Sequence, residues 1–368
     1  MNYKTLSQRV YMPELDGLRF FAFLLVFIHH TTSFVDVKEI SVLHKTGWIG
    51  VDLFFALSAY LFTKLLTIEF DRTGVINFKK FYLRRIFRIW PIYILFILLS
   101  VSVYMFSGGD LGYSTKIRII GLLTFTDNII AAVYGYNPLP FVSHLWTISY
   151  EEQFYVFIPF MVLLLMGIAT KKRIYVLAIS FVVLNIIRLV FIQHHADHPA
   201  IWVLPVTHFE SILLGMVIGF GGFDRLFKKV NSFILFLIAC ALLFIISLLP
   251  GVETISYSLI LLYTLVGVCT SFFLYTALNN IFLKRVLSFK LFVFLGKRSY
   301  GLYVYHLLGN AIALYIVKHI RLAPKDPVFT FMYSLGFTIV SAIVSYFLIE
   351  KPFLRIKSRF EIIKTRPI

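Results

Sequence analysis

Apolar residues form long runs along this chain, and polar residues collect in short segments between them. A helix needs about 20 mainly apolar residues to cross the hydrocarbon core of a bilayer. Eleven runs approach that length, at about 16–35, 48–66, 87–106, 117–135, 153–169, 174–192, 202–222, 232–249, 255–278, 300–317 and 328–349. The pattern predicts an all-α polytopic membrane protein.

The positions of the basic residues indicate which of these runs cross. Lys and Arg clusters favour the cytoplasmic side of a membrane. The large clusters are 79–88, 171–173, 225–229, 284–298 and the tail from Lys351 to Arg366. If every run crossed, cluster 171–173 would lie opposite cluster 79–88. All of the large clusters lie on one side if run 117–135 does not cross, and that run carries Asp127 and Asn128 in its middle.

This charge pattern predicts about ten transmembrane helices with both termini in the cytoplasm. It also predicts an extracytoplasmic excursion over about 107–150 that includes a re-entrant element lined by protein. A small group formed by Lys318, Arg321 and Lys325 falls outside in this arrangement and is its one exception.

Composition supports a single integral membrane domain. Hydrophobic residues make up 59% of the chain and charged residues 14%, whereas soluble domains carry about 25% charged residues. The net charge of +17 therefore reflects topology rather than a nucleic-acid-binding surface. No polar linker interrupts the chain, so we predict one domain over 1–368, of which 354–368 form a cytoplasmic tail.

The first apolar run and the two cysteines complete this interpretation. The run continues without a small-residue cleavage site, so we expect it to stay in the membrane as the first helix. Cys240 and Cys269 lie in apolar runs without metal-ligand spacing. We expect them to be buried by packing, and the sequence predicts no metal site.

The first apolar run also contains residues that a lipid-facing helix would not carry. In the stretch ELDGLRFFAFLLVFIHH, His30 follows Arg19 after ten intervening residues. The two residues therefore lie about 20° apart around a helix and about 16 Å apart along it, whereas His29 lies about 280° from Arg19. With Arg19 at the cytoplasmic interface, His30 comes near the bilayer midplane, where an ionisable residue indicates a functional site. The alternative is a histidine bonded to a neighbouring helix.

Charged residues also gather where two later runs begin. Arg84, Arg85 and Arg88 lie in FYLRRIFRIWPIY at the entry of the third run. They are either basic anchors or, because guanidinium groups suit phosphates, a site for an anionic cytosolic ligand. Glu151 and Glu152 lie at the start of the run 153–169, where a favourable position at a helix N-terminus would account for one of the two carboxylates.

A polar stripe is predicted in the run 300–317. Ser299, Tyr303 and His306 follow an i, i+4, i+7 spacing, which aligns them on one face of a helix. His306 thereby becomes a second histidine within the membrane.

Six stretches together resemble the acyltransferase 3 family of integral membrane acyltransferases, from about Pro13 to Phe353. They are PELDGLRFFAFLLVFIHH, GWIGVDLFFALSAYLFT, FYLRRIFRIWPIY, HLWTISYEEQFYVFIP, SYGLYVYH and YFLIEKPF. The family-like core is therefore 13–353. The chain departs from the family at Ala59, where glycine is frequent, and at His208, where arginine is frequent.

The resemblance carries residue assignments with it. The family's pattern of arginine, ten residues and histidine is met by Arg19 and His30. Its R-x-x-R pattern is met by Arg85 and Arg88, and its carboxylate–glutamine pattern is met by Glu151, Glu152 and Gln153.

The resemblance implies transfer of an acyl group, usually acetyl, from cytosolic acetyl-CoA to a hydroxyl of an extracytoplasmic glycan. The acceptor would be a cell-surface polysaccharide, a lipopolysaccharide or a lipid-linked glycan, and the enzyme would lie in the bacterial inner or plasma membrane. His30 is then either a general base or itself acylated, and a carboxylate orients the imidazole or binds the sugar.

Site residues follow from these roles. The predicted catalytic residues are His30, Glu151 and Glu152. The predicted donor-binding residues are Arg19, Arg84, Arg85 and Arg88. The predicted acceptor-binding residues are Asp127, Asn128, Gln153, Ser299, Tyr303 and His306. Longer family members carry a fused esterase-like domain, which is not expected here.

Two other functions fit the same pattern of spans. A transporter or flippase for lipid-linked glycans is also a bundle with charges near the midplane, but it does not need paired cytosolic arginines. A non-catalytic membrane scaffold is the second alternative, and such a protein would not depend on His30.

Overall fold

The computed structural model describes residues 10–31, 40–319 and 326–363, and every regular element in these ranges is helical. The helices are α1 (Pro13–His29), α2 (Ser41–Thr46), α3 (Ile49–Thr73), α4 (Phe78–Phe106), α5 (Tyr113–Leu123), α6 (Asp127–Tyr134), α7 (Trp146–Met166), α8 (Thr170–Gln193), α9 (Ala200–Val203), α10 (Glu210–Gly219), α11 (Gly222–Phe227), α12 (Ser232–Leu248), α13 (Ser258–Asn279), α14 (Ile281–Leu287), α15 (Lys290–Gly296), α16 (Ser299–His319), α17 (Pro327–Ser345) and α18 (Lys351–Ser358). A π-helical turn (Tyr346–Glu350) joins the last two. The predicted all-α fold is confirmed.

Seven helices are long and apolar enough to cross a membrane, namely α3, α4, α7, α8, α13, α16 and α17. Helices α1 and α12 have 17 residues each and α10 has 10. These ten helices coincide with ten of the eleven apolar runs, so the chain is an integral membrane protein with multiple spans. The run 202–222 is interrupted, because an irregular segment separates α9 from α10.

The remaining run, 117–135, does not form a continuous helix. It divides into α5 with 11 residues and α6 with 8 residues, which rise about 16 Å and 12 Å and are too short to cross. Between them, Phe125 adopts a left-handed φ of 54° and reverses the chain. The hydroxyl of Thr124 donates to the Ile120 carbonyl at 2.8 Å and also contacts the hydroxyl of Thr126 at 2.8 Å. These local bonds satisfy polar groups at the end of α5, at the point where the run that was predicted not to cross is broken.

The segment after α6 descends into the bundle. The rings of His144 and Phe96 lie 6.5 Å apart, and Phe96 precedes the end of α4 by ten residues, or about 15 Å. The hydroxyl of Ser100 donates to the Pro140 carbonyl at 2.6 Å. Irregular backbone at this depth is tolerated only where protein surrounds it. The excursion therefore contains a re-entrant segment that ends where α7 begins.

Several helix starts meet at one end of the bundle, which we call the basic end and which comprises the starts of α1 and α4 together with α14, α15 and α18. Arg84 on α4 donates to the Phe360 carbonyl at 2.9 Å, and Lys284 on α14 lies 3.9 Å from Glu14 on α1. The chain's basic clusters 79–88, 284–298 and 351–359 thus share one end, as the charge pattern predicted.

Helices α14 and α15 fold back under the bundle, so that α16 begins beside α1 rather than at the outermost surface. Two glycines permit this close approach. A Cβ at Gly296 would overlap the backbone carbonyl of Asp16, and a Cβ at Gly17 would overlap the carbonyl of Leu287. Small residues at helix contacts let membrane helices approach each other in the same way. Ser299 consequently starts α16 near the level of Asp16.

A buried polar network joins α3, α8, α10 and α13. His208 Nε2 lies 2.9 Å from the Asp52 carboxylate, and its Nδ1 donates to the Trp202 carbonyl at 2.9 Å. Arg188 forms an ion pair with Glu210, and both side chains are almost completely buried. His208, where the family often has arginine, is therefore tied to neighbouring helices. Removing one member of the Arg188–Glu210 pair would leave the other as an uncompensated buried charge, which is strongly destabilising.

The two cysteines occupy different environments. Cys269 is buried and donates its thiol to the Ala239 carbonyl at 3.3 Å. Cys240 is exposed on α12, so the expectation that both are buried is wrong for this residue. Its helix presents a lipid-facing surface, and an apolar run does not by itself distinguish that surface from a protein core.

The broken run leads to a topology prediction. Single cysteines replacing Asp110 and Pro138, which are both exposed, should react with a membrane-impermeant thiol reagent from the same side, in a protein lacking Cys240 and Cys269. Lys79→Cys at the basic end should react only after permeabilisation. If the Asp110 and Pro138 positions react from opposite sides, the run 117–135 crosses and the ten-span arrangement is wrong.

Candidate active site

A cleft opens at the basic end and runs into the bundle between α1, α3, α4, α7 and α16. Two adjoining cavities of about 90 and 100 Å³ form it, and both are lined by Arg19, Phe62, Arg85 and Arg88. We call it the arginine cleft. Its mouth includes Asp16 and Lys357, and its deep part includes polar residues of three helices, namely Ser58, Thr147, Glu151, Tyr155, Ser299 and Tyr303.

Arg19 and Arg85, two of the three arginines of the cleft, are held in different ways. Arg19 lies 3.6 Å from the Asp16 carboxylate, one turn earlier on α1. The Arg85 guanidinium lies over the Phe62 ring at 4.6 Å, and its Nε has no hydrogen-bond partner among the described residues. A buried guanidinium donor without a partner is costly, so Arg85 is suited to an anionic ligand entering the cleft.

Arg84 was also predicted to bind the donor, but it does not line the cleft. Its side chain turns to Glu69, 3.6 Å away, and to the Phe360 carbonyl. Arg84 and Arg85 are adjacent on a helix and therefore point about 100° apart. Arg84 thus lies outside the cleft, in a contact between α3, α4 and the segment after α18.

The structure distinguishes the two adjacent carboxylates. Glu151 lines the cleft and accepts from the hydroxyls of Tyr155 at 2.6 Å and Ser58 at 3.5 Å. Glu152 does not line it. Neither carboxylate has a described hydrogen bond to His30, so the expected pairing of a carboxylate with that imidazole is not observed.

Two hydroxyls close the deep end of the cleft. Tyr303 on α16 and Thr147 on α7 lie 2.7 Å apart, oxygen to oxygen. The Thr147 hydroxyl also donates to the His144 carbonyl at 2.9 Å. The Tyr303 ring, 5.2 Å from the His144 ring and 5.5 Å from the His306 ring, therefore separates the cleft from a group of histidines.

Three histidines from different parts of the chain meet behind Tyr303. The rings of His30 and His306 lie 4.9 Å apart, and those of His306 and His144 lie 4.5 Å apart. We call His30, His144 and His306 the histidine cluster. His306 Nε2 and both ring nitrogens of His144 are buried without a hydrogen-bond partner among the described residues. Buried polar groups without a partner are rare in folded proteins, which makes the histidine cluster a candidate functional site.

Hydrogen bonds fix the orientation of His30. Its Nδ1 lies 2.9 Å from the Val26 carbonyl, and because a carbonyl only accepts, Nδ1 carries the proton and Nε2 of the neutral ring is the basic nitrogen. Asn310 on α16 donates to the His30 carbonyl at 3.0 Å. Since α16 continues nine residues beyond Asn310, or about 14 Å, His30 lies well below the outer end of that helix.

The neighbouring histidine faces another element. His29 Nδ1 lies 2.9 Å from the His44 carbonyl, and the two rings are 6.0 Å apart. His29 thus turns to α2, whereas His30 turns to α16 together with Arg19. The helical angles calculated from the sequence predicted this difference.

The predicted polar stripe on α16 divides between the two regions. Ser299 and Tyr303 line the arginine cleft, and His306 belongs to the histidine cluster. The stripe therefore extends from the arginine cleft to the histidine cluster.

Asp127, Asn128 and Gln153 lie elsewhere, between α6 and α7. Asn128 and Gln153 exchange amide hydrogen bonds of 3.1 and 2.8 Å, and Asn137 donates to Asp127 at 2.7 Å. Burial raises the pKa of Asp127 to about 6, against the opposing effect of the Asn137 bond. None of the three lines the cleft. Asn128 and Gln153 fasten the excursion to α7 and Asp127 is held within the excursion, so the three lie outside the arginine cleft and their acceptor-binding role stays a prediction.

The site also contains residues that the sequence interpretation did not assign. His144 precedes the tryptophan of HLWTISYEEQ, and Thr147 and Tyr155 belong to the same stretch. Thr147 and Tyr155 lie four residues before and after Glu151, so helical spacing could have indicated that they share its face. The position of His144 depends on the descent of the re-entrant segment, which helical periodicity does not reveal.

Comparisons with known proteins point in one direction. The chain matches the acyltransferase domain family over residues 12–350. It is 29% identical over 368 residues to the putative O-acetyltransferase SAS0844 of Staphylococcus aureus strain MSSA476, an alignment that covers 93% of this chain and 57% of the relative. It is 27% identical over 357 residues to the O-acetyltransferase OatA of Staphylococcus aureus strain NCTC 8325, with the same coverage of each chain. The chain thus spans little more than half the length of these relatives, and no solved structure matches it.

Proposed function

We propose that this chain, which belongs to the acyltransferase 3 family, transfers an acetyl group from cytosolic acetyl-CoA to a hydroxyl of a glycan on the other side of the membrane. The carrying observation is the arginine cleft, which opens at the basic end and stops at Tyr303, whose ring lies 5.5 Å from that of His306, the neighbour of His30 in the histidine cluster. Family membership supports an acyl donor and an acceptor, and the names of the relatives support O-acetylation.

The orientation follows from charge. The basic end contains the clusters 79–88, 284–298 and 351–359, and such clusters remain in the cytoplasm. The cleft mouth then faces the cytosol, where acetyl-CoA is made, and the excursion over 107–150 faces outward. Both chain termini lie in the cytoplasm in this arrangement.

The donor would enter with its acyl end first. Its phosphates, which cannot enter the hydrocarbon region, stay with Arg85, Arg88 and Lys357 near the mouth. The pantetheine arm is flexible and uncharged, so it suits the narrow deep part. Arg19 and His30 are about 16 Å apart along α1, a distance that such an arm can span.

The thioester reaches His30 only when the Tyr303 ring and the Thr147 hydroxyl separate. Their contact joins α16 to α7 through one described hydrogen bond between side chains, and a rotamer change of Tyr303 removes it. Closure without donor would keep water and protons from passing between the cleft and the histidine cluster.

Two routes of transfer fit the histidine cluster. In the direct route, His30 Nε2 takes the proton of the acceptor hydroxyl while the hydroxyl oxygen attacks the thioester carbonyl. The carbon–sulfur bond then breaks, and the thiolate of CoA takes up the proton. In the covalent route, Nε2 attacks the thioester carbonyl first, the carbon–sulfur bond breaks, and the thiolate of CoA leaves an acetyl-imidazolium on His30. The acceptor hydroxyl oxygen then attacks the acetyl carbon, the carbon–nitrogen bond breaks to return the neutral imidazole, and the hydroxyl proton passes to the thiolate.

His306 and His144 would assist by proton movement. The ring of His306 lies beside His30, and its Nε2 is unprotonated because its Nδ1 donates to the Tyr303 carbonyl at 2.5 Å. It is therefore a second acceptor for the proton released by the hydroxyl. Glu151 remains in the cleft, where its bonds to Ser58 and Tyr155 hold the wall that the pantetheine arm contacts.

The first prediction concerns the two adjacent histidines. His30→Ala should lower the transfer of label from acetyl-CoA to a glycan acceptor about 100-fold or more, because a positioned base contributes at least that factor. His29→Ala should keep most of the activity, since His29 faces α2. The measurement is incorporation of labelled acetyl by purified protein, with folding checked by thermal unfolding.

Two results would contradict this assignment. One is the reverse ranking of the two variants. The other is glycan movement across proteoliposomes without cleavage of the thioester, which would identify a transporter.

The second prediction concerns the arginines of the cleft. Arg85→Ala and Arg88→Ala should each weaken CoA binding about tenfold or more, because a charge-assisted bond to phosphate contributes about 1.5–3 kcal/mol. Replacement by lysine should restore little, since lysine lacks the bidentate fork. Calorimetric titration of purified protein with CoA measures both effects.

Lys80→Ala is the matched control, because Lys80 is an exposed cation at the start of the same helix and does not line the cleft. Arg84→Ala should lower thermal stability while leaving the CoA affinity close to that of the unaltered protein. Equal CoA affinities in Arg85→Ala, Arg88→Ala and Lys80→Ala would exclude the cleft as the donor site.

A further inference from the structure

A second and wider cavity lies next to the arginine cleft at the basic end. Its volume is about 510 Å³, and it is bordered by the residues just before α1, by α15 and by the π-helical turn. Four cationic side chains line it, from Lys290, Lys297, Arg298 and Lys351. We call it the basic basin. Nothing in the transfer chemistry described above uses it.

The basin is suited to a negatively charged ligand. None of its lining residues is acidic, so the wall presents four cations and no carboxylate to a ligand. The Arg298 guanidinium lies 3.6 Å from the Phe294 ring centre and 4.3 Å from that of Tyr346. Its side chain is buried, one terminal nitrogen donates to the Phe294 carbonyl, and Nε has no hydrogen-bond partner among the described residues. A buried unpartnered donor in a cationic cavity indicates an anion.

Tyr11 connects the basin to the arginine cleft. Its side chain lines both the cleft mouth and the basin. The Tyr11 hydroxyl donates to Asp16 at 3.0 Å, and the Lys297 ammonium lies 5.5 Å from its ring centre. A ligand that extends out of the cleft mouth past Tyr11 therefore enters the basin.

We infer that the basic basin binds the 3′-phosphoadenosine end of the CoA donor. This inference rests on the proposed function and extends it to a second subsite. CoA carries a diphosphate between pantetheine and adenosine, and a third phosphate on the ribose 3′ oxygen. With the diphosphate at Arg85, Arg88 and Lys357, the nucleoside lies beyond the cleft mouth. The 3′-phosphate then lies among the cations of the basin.

The sizes of the cavities support this division of the donor. The cleft cavities of about 90 and 100 Å³ are narrow and suit an extended arm. The basin of about 510 Å³ lies within the range of pockets that hold small ligands. The three phosphates of one molecule are thereby matched by two groups of cations at one end of the bundle.

A comparison of CoA with 3′-dephospho-CoA tests the inference, because the two ligands differ only in the phosphate assigned to the basin. The purified protein should bind CoA about tenfold more tightly than 3′-dephospho-CoA in calorimetric titrations. Lys297→Ala combined with Lys351→Ala should weaken CoA binding to the level of 3′-dephospho-CoA and leave binding of the dephosphorylated ligand unchanged. The effects of removing the 3′-phosphate from the ligand and the two lysines from the protein should therefore not be additive, as expected for groups in contact.

Lys79→Ala, an exposed cation at the same end that lines neither cavity, should preserve the full difference between the ligands. Equal affinity of the unaltered protein for both ligands would overturn the inference without any variant, while tight binding of both would leave the proposed function standing. Equal affinity together with loss of a co-purifying anionic phospholipid from the lysine variant would assign the basin to a lipid phosphate instead. Failure of both ligands to bind would overturn the donor site itself.

Discussion

The free-energy cost of burying charge within the membrane constrains where ionisable side chains lie in this structure. An ionisable side chain at this depth must find a partner inside the protein or line a polar cavity. Arg188 and Glu210 illustrate the first solution, because they pair with each other and are almost completely buried. Arg85 illustrates the second, since it lines a cleft and its Nε lacks a partner among the described residues. This contrast separates charged residues that stabilise the bundle from charged residues that are suited to binding a ligand.

The same constraint places the polar groups of the proposed site inside the bundle, where elements from its two ends meet. Helices α14 and α15 bring the start of α16 beside Asp16, and the re-entrant segment brings His144 down beside Phe96. Polar groups from opposite directions consequently meet at Tyr303, with the arginine cleft on one side and the histidine cluster on the other. The proposed function, with a cytosolic donor and an extracytoplasmic acceptor, would need such an arrangement.

Much of this arrangement was predictable from periodicity. The apolar runs gave ten helices, the charge clusters excluded run 117–135, and helical angles separated His30 from His29. Tertiary contacts decided the rest. Arg84 on α4 pairs with Glu69 on α3, a contact between helices that periodicity does not reveal. Asn128 and Gln153 form hydrogen bonds with each other because the excursion folds onto α7. His144 was missed since the depth of an irregular segment leaves no periodic signal.

The most direct test of the account is a structure determined by electron cryomicroscopy with a non-hydrolysable acetyl-CoA analogue bound. The account predicts that the diphosphate contacts Arg85 and Arg88, that the Tyr303 ring has moved away from Thr147, and that the acyl carbonyl carbon lies about 3–3.5 Å from His30 Nε2, the separation of reacting atoms. An analogue bound with its phosphates at the opposite end of the bundle, or with its acyl group remote from the histidine cluster, would contradict it.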